Sequence, residues 1–247
     1  MLKDYEIDKP VLETDRLIIR TLNEADVPDL KEWLGRDEIY TYWGRKASKN
    51  EKICGGNMLK DYEIDKPILE TDRLIIRVLN EADVPDLKEW LGRDEIYTYW
   101  GRNASKNERN PELMFIDARP WVKRKPCLDF NWGIVLKETN KVIGMIDVFN
   151  IQNLRMGDIG YRIHPEYWNK GITTEALKEV IRFIFENTEI ERLNGRADVR
   201  NIASNKVLER CGFIKEGTIR QGKMVSVYCN YNIYGMLRED YAERNFY

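Results

Sequence analysis

A mixed α/β (α+β) fold, with a largely antiparallel sheet covered by helices on both faces, is predicted by three features of this sequence. A strand-like alternation, Arg73-Leu74-Ile75-Ile76-Arg77-Val78-Leu79, runs into a helix-starting segment, Asn80-Glu-Ala-Asp. Two apolar stretches, beginning at Asp129 and at Lys141, flank the turn residues Glu138-Thr-Asn-Lys. A stripe of Ala176, Val180 and Ile184 recurs every four residues through the segment 173–187, which is the spacing of one face of a helix.

In chain order, the first strand leads into a helix over roughly 81–91, which Gly92 ends. The pair of strands around the 138–141 turn reads as a hairpin. Asp158-Ile-Gly-Tyr-Arg-Ile-His is a third strand, which passes through Pro165 into the amphipathic helix at 173–187. A strand near 193–199, a helix near 203–211 and two closing strands, around Gly217 and over 225–237, complete the series. Strands followed by helices in this order argue for a mixed sheet with both faces covered.

The chain has 247 residues, but Met1–Glu51 recurs as Met58–Glu108 with three changes, Val11 to Ile68, Thr21 to Val78 and Lys46 to Asn103. Residues 1–57 are therefore read as a near-identical duplicate of the first strand-helix segment plus a Gly-Gly linker, and 58–247 as the working domain. Only one Arg-Leu-Ile-Ile-Arg strand can hold the first-strand slot. With Val78 on the face of Leu74 and Ile76, burying Thr21 there instead would cost about 1–3 kcal/mol for its hydroxyl. Ile68 against Val11 adds about 0.5–1.5 kcal/mol in the same direction if buried. The second copy is expected in the slot, leaving the first free to dock or to link two chains as a homodimer.

An apolar share of 43% with 33% charged residues suits a globular protein with a real core. The net charge of −2, with basic residues scattered apart from Lys123-Arg124-Lys125, gives no footprint for nucleic acid. The N-terminus is polar and acidic and no apolar run reaches membrane-spanning length, so neither secretion nor a membrane is expected and the location is read as cytoplasmic. Cys54, Cys127, Cys211 and Cys229 form no CxxC pair and His164 is the one histidine, which argues against a metal site.

Chemistry concentrates in Ile163-His-Pro-Glu-Tyr-Trp-Asn-Lys-Gly-Ile-Thr-Thr-Glu-Ala-Leu, a strand that turns into a helix. Unpaired N–H groups and the positive dipole end at a helix start suit a pyrophosphate, and Gly171 lets the backbone approach it. Thr173 and Thr174 can cap the helix or donate to a phosphate oxygen. Asn169 tolerates the left-handed turn that the passage needs.

Three separated pieces, together with the ending Tyr234-Gly-Met-Leu-Arg-Glu-Asp-Tyr, resemble the GNAT superfamily, and within it the ribosomal-protein N-terminal acetyltransferases. They are Glu70-Thr-Asp-Arg-Leu-Ile-Ile-Arg, His164-Pro-Glu-Tyr-Trp-Asn-Lys-Gly-Ile-Thr-Thr-Glu-Ala-Leu, and Asn201-Ile-Ala-Ser-Asn-Lys-Val-Leu-Glu-Arg-Cys-Gly-Phe. The resemblance spans residues 58–247 and implies acetyl-CoA as cosubstrate and an amine as acceptor. It implies that the main chain of Asn169, Lys170, Gly171, Ile172, Thr173 and Thr174 holds the pyrophosphate, that the Ile163 N–H polarises the acetyl carbonyl, and that Asn201 binds the pantetheine arm. The sequence departs from the family where Trp168 stands at the Gln/Arg position of the loop, and where Leu208 replaces a tyrosine that many relatives use as an acid. Ser204 is the substitute acid this reading selects; as a helix-starting serine it is otherwise a cap.

Acetyl transfer demands that an amine, of pKa about 8 at an N-terminus or about 10.4 on lysine, lose a proton before attack. A carboxylate can take it, directly or through water. Asp158, which shares a strand face with Gly160 and Arg162, is the first candidate for this base, with a salt-bridged strand residue as its structural alternative; Asp147 is the second. His164 reads as a turn residue. Tyr97, Tyr99, Trp100 and Trp132 are candidates for an acceptor cleft, or for core. The leading function is acetyl transfer to a protein N-terminal amine; the alternatives are a polyamine or aminoglycoside acceptor, or a non-catalytic acyl-CoA binding module.

Overall fold

The computed structural model describes residues 12–13, 18–19, 67–116, 129–152 and 155–243. The helix of the first copy, the linker at 52–57, Cys54, Cys127 and Lys123-Arg124-Lys125 lie outside the described residues. The chain divides into two units, Met1–Met58 and Leu59–Tyr247.

In the first unit, β1 (Leu12–Glu13) pairs antiparallel with β2 (Ile18–Ile19), Leu12 facing Ile19. In the second, β3 (Leu69–Glu70) and β4 (Leu74–Arg77) form the same hairpin, Leu69 facing Ile76. Identical sequences have formed the same register.

The second unit continues with a 3-10 turn, Glu81–Asp83, and α1 (Val84–Trp90). Asn80 accepts from the Ala82 N–H and the Asp83 carboxylate accepts from the Asn80 N–H, so this end is capped as its residue types suggested. A 3-10 segment, Asp94–Trp100, and two short helices, α2 (Lys106–Arg109) and α3 (Leu113–Ile116), follow. Then come β5 (Phe130–Leu136), β6 (Lys141–Gln152), β7 (Met156–Ile163), α4 (Ile172–Asn187), β8 (Arg192–Asp198), α5 (Ile202–Arg210), β9 (Ile214–Met224), β10 (Val227–Leu237) and α6 (Arg238–Glu243). One eight-stranded sheet runs β3-β4-β5-β6-β7-β8-β10-β9, and every pairing in it is antiparallel except β7 with β8.

Both faces of the sheet are covered. Leu74, Ile76, Phe130, Trp132, Ile134 and Ile163 bury one face against the Ala176, Leu177, Val180 and Ile184 stripe of α4. Val135, Val142 and Met145 bury the other against Leu87, Trp90 and Leu91 of the α1 region. Burying a large aliphatic or aromatic side chain contributes about 1.5–3 kcal/mol, so the α4 stripe is the main clamp on the sheet.

Two expectations are corrected here. Val78 was expected to share the buried face of Leu74 and Ile76, and Ile68 was a candidate for burial, yet Val78 is 47% and Ile68 64% exposed. The strand stops at Arg77, whose guanidinium turns to pair with Asp83 at 2.7 Å, so position 78 lies beyond the alternation. Of the two readings open for Trp132, cleft or core, the structure gives core: it is buried, stacked on Phe130 at 5.0 Å, with its indole N–H donating to Pro67 O.

Candidate active site

β7 and β8 pair only through Met156–Arg192, Gly157–Leu193 and Asp158–Asn194, although β7 runs on to Ile163 and β8 to Asp198. Beyond Asp158 the two strands part, β8 staying with β10 and β7 with β6. A cleft opens within the sheet. His164 donates its N–H to Ile143 O at 2.8 Å, on the β6 side. Because main-chain groups alternate along a strand, the N–H and C=O of Ile163 point the other way, toward the parted side. The Ile163 carbonyl meets the indole N–H of Trp168 there, at 2.9 Å.

The loop after β7 supplies the cradle. Asn169 (φ 58°) and Gly171 (φ 75°) both take left-handed backbone, and Gly171 is the N-cap of the 16-residue α4 with no side-chain bond at the cap. Of the two roles open to Thr173 and Thr174, capping is not taken up, because Gly171 holds the cap position and both threonines lie inside the first turn. The first-turn N–H groups of the helix have no partner within it and lie at its positive end. A Cβ built on Gly171 would point toward the Arg73 guanidinium, with Nη2 at 3.7 Å, an ordinary van der Waals distance.

On the α4 side of the cleft, Asn201 caps α5 by accepting from the Ser204 N–H at 3.1 Å. The capping role weighed for Ser204 thus belongs to Asn201, which frees the serine hydroxyl. That hydroxyl lies 2.8 Å from the Tyr161 hydroxyl, which also donates to Ser204 O. Burial pushes the Tyr161 phenol well above its ordinary pKa, opposed in part by its bond with Ser204, so it stays protonated. Leu208 is buried against Gly195, where a Cβ would stand 2.7 Å from Leu208 Cδ2.

On the opposite face, Asp158 is bound by Arg196 (2.7 Å), Asn150 (3.0 Å) and Asn194 (3.2 Å), just where the strands part. Asp147, across from Gly160 on β6, accepts from Asn131 at 3.0 Å and from Arg162 at a longer 3.3 Å. Arg162 also donates to Glu108 at 2.9 Å and lies over the Trp100 ring. Glu108 is further held by both Nη atoms of Arg102 and by the Ser105 N–H. Burial opposes its ionisation, but these donors win and hold its pKa down at about 2. His164 accepts from the Glu166 N–H at the turn, and burial lowers its pKa.

The strand that turns through a left-handed glycine into a helix is the arrangement the sequence motifs imply, and the structure adds the parting of β7 from β8 beside it. The acetyltransferase (GNAT) domain family matches residues 73–214. The chain belongs to the GNAT acetyltransferase family. An N-acetyltransferase of Bacillus subtilis, YoaA, itself uncharacterized, is 32% identical over 157 residues, 63% of this chain and 87% of that protein. The ribosomal-protein-serine acetyltransferase of Escherichia coli is 30% identical over 106 residues, 42% of this chain and 59% of that one. The spermidine N-acetyltransferase of Vibrio cholerae, solved with CoA and spermine, shares the fold at TM-score 0.58 and 17% identity, over 70% of this chain and 99% of that chain.

Within this GNAT domain the structure brings Ile163 and the Asn169–Thr174 loop to one end of the cleft. Asp158 stands at the other end, about 16 Å from Ile163 along β7. Asp158 and Ser204 lie on opposite faces of the strand, as the parity of positions 158 and 161 requires. Sequence reasoning missed Arg73, Arg102, Glu108 and Tyr161. Strand alternation already places Tyr161 on the face of Ile163, but its meeting with Ser204, like the contacts of the other three, is made only by the fold. Among the described residues no helix is long and apolar enough to cross a membrane.

Proposed function

We propose that the domain acetylates the N-terminal α-amine of a protein or peptide, with acetyl-CoA as donor. The observation that carries the choice of acceptor is the face of β7 opposite α4. There the carboxylates of Glu108 and Asp147 are matched by the guanidinium groups of Arg102 and Arg162, beside Trp100. A polyamine or aminoglycoside carries several cations and needs a surplus of negative charge to hold it. A peptide N-terminus brings one amine on a largely neutral chain and fits a face that is already balanced. The relative named for acetylating a ribosomal-protein serine supports the same reading.

In this reading the Asn169–Thr174 main chain holds the pyrophosphate, Asn201 lies along the pantetheine arm, and the Ile163 N–H stabilises the oxyanion formed when the amine attacks. The proton of the attacking amine passes to a carboxylate, directly or through water. We place that role on Asp147, whose contacts are fewer and longer, ahead of Asp158, which Arg196 and two asparagines already occupy. Ser204, backed by Tyr161, delivers a proton to the departing thiolate. An N-terminal amine, of pKa about 8, asks less of the base than a lysine of about 10.4.

The test is CoA thiol release from acetyl-CoA across an amine panel. Peptides with free Ser or Ala N-termini are expected to turn over with kcat/KM at least about tenfold above spermidine or an aminoglycoside, a difference of about 1.4 kcal/mol in transition-state stabilisation. A polyamine that outperforms every peptide overturns the choice of acceptor.

A further inference from the structure

We propose that Arg73 is a positioning residue of the donor loop, fixing the Lys170–Gly171 peptide so that the Gly171 N–H faces the donor's phosphates. The inference rests on reading that loop as the acetyl-CoA site. Arg73 comes from the start of β4, far from the loop in sequence, and its Nη1 donates to Lys170 O at 3.2 Å. In a trans peptide the C=O and the following N–H point in opposite directions. Holding the Lys170 carbonyl on the Arg73 side therefore turns the Gly171 N–H to the other side, away from Arg73.

The guanidinium is itself anchored. Its Nε donates to Glu175 Oε2 at 2.7 Å, and the Arg73 main-chain N–H donates to Oε1 of the same carboxylate at 3.2 Å. The Thr71 hydroxyl donates to that Oε1 at 2.5 Å. Glu175 sits in the first turn of α4, so strand β4 is tied to the beginning of the helix and the free arm of the fork reaches the loop. The fork suits this because a guanidinium presents five N–H donors in fixed geometry.

Without the clamp the peptide has reason to turn over. The residues on either side of Lys170, Asn169 and Gly171, both hold left-handed backbone, and glycine moves between φ wells with little cost. A flipped peptide would aim a carbonyl oxygen at the phosphates. Nor does the first residue of the loop compensate, since the Trp168 indole is spent on Ile163 O. Neutralising Glu175 is a second consequence, because an unpaired carboxylate in that turn would repel the same phosphates.

The test compares two donors, acetyl-CoA and S-acetylpantetheine, which lacks the pyrophosphate, using the full chain. Arg73→Ala is expected to weaken CoA binding in calorimetry by about 10- to 100-fold, the range of one charge-assisted hydrogen bond, with kcat at saturating acetyl-CoA little changed. Turnover of S-acetylpantetheine by the variant should equal that of the wild type. Arg73→Lys, which keeps a charge for Glu175 but lacks the fork, repeats the test in a background less prone to unfold and should recover only part of the affinity. An equal loss with both donors, or unchanged CoA affinity in both variants, overturns the role. A wild-type chain that binds no CoA overturns the donor reading itself, and with it the inference.

Discussion

Tyr161 on β7 and Ser204 in the first turn of α5 meet hydroxyl to hydroxyl at 2.8 Å, beside the cleft where β7 and β8 part. Each orients the other, and a partly buried phenol that stays protonated can hold the serine proton in one direction. Ser204→Ala is expected to lower kcat by about 10²-fold, within the range of a lost proton-transfer group, with little change in the KM for acetyl-CoA. Tyr161→Phe should lower kcat less, and combining the two should add little to Ser204→Ala alone. Additive losses in steady-state kinetics would show that the hydroxyls act separately.

Asp147 and Asp158 compete for the role of base. Asp147→Asn is expected to reduce kcat by about 10² to 10⁴, with the deficit shrinking at high pH where the amine loses its own proton. Asp158→Asn should have a smaller effect on kcat and a larger one on thermal stability, because it breaks the ion pair with Arg196. The reverse ranking, read from pH–rate profiles of both variants, would return the base to Asp158.

Gly171→Glu should abolish CoA binding in calorimetry, on two counts. The φ of 75° strains any side chain, and a carboxylate beside the Arg73 guanidinium would compete with Lys170 O for it and add negative charge next to the loop read as the pyrophosphate site. Gly171→Ala carries only the first cost, so it should bind more weakly than wild type but still measurably.

Acid should unfold the domain partly through Glu108. Its folded pKa of about 2 lies below the unfolded value of about 4.3, so its contribution is complete above that unfolded value and is lost as pH falls through about 2. Glu108→Gln should destabilise at neutral pH by about 1–3 kcal/mol and flatten the decline in stability between pH 4 and 2. Urea melts across that range check it; an unchanged slope would assign acid unfolding to other carboxylates.

A chain beginning at Met58 is expected to keep its solubility and near full kcat/KM, because β3 and β4, which edge the large sheet, come from the second copy. If the truncated chain is insoluble or inactive, and adding residues 1–57 restores it, the first copy belongs to the working fold. Side-chain burial is not what selects the second copy, since Ile68, Val78 and Asn103 are all exposed. What favours it is chain continuity. Seating the first copy would require extruding the second as a long loop, whose closure costs entropy.

The sequence alone determined what is local or periodic. The alternation at 73–77 and the four-residue stripe of α4 set the two faces of the sheet, and the glycine before the helix marked the turn into α4, because side-chain direction repeats with each element's own period. Asn80, followed three residues later by Asp83, foretold a capped start for the same reason: its partners are neighbours in the chain. Only the tertiary structure decided where strand pairing stops, and so where the cleft lies, since the parting of β7 from β8 after Asp158 depends on β10 holding β8. It also decided which charges meet. Arg73 with Glu175, Arg162 with Glu108 and Tyr161 with Ser204 are separated by 102, 54 and 43 residues, and no local period relates such positions. Those pairings are consequences of packing, which selects among many possible partners by a geometry that only the folded chain possesses.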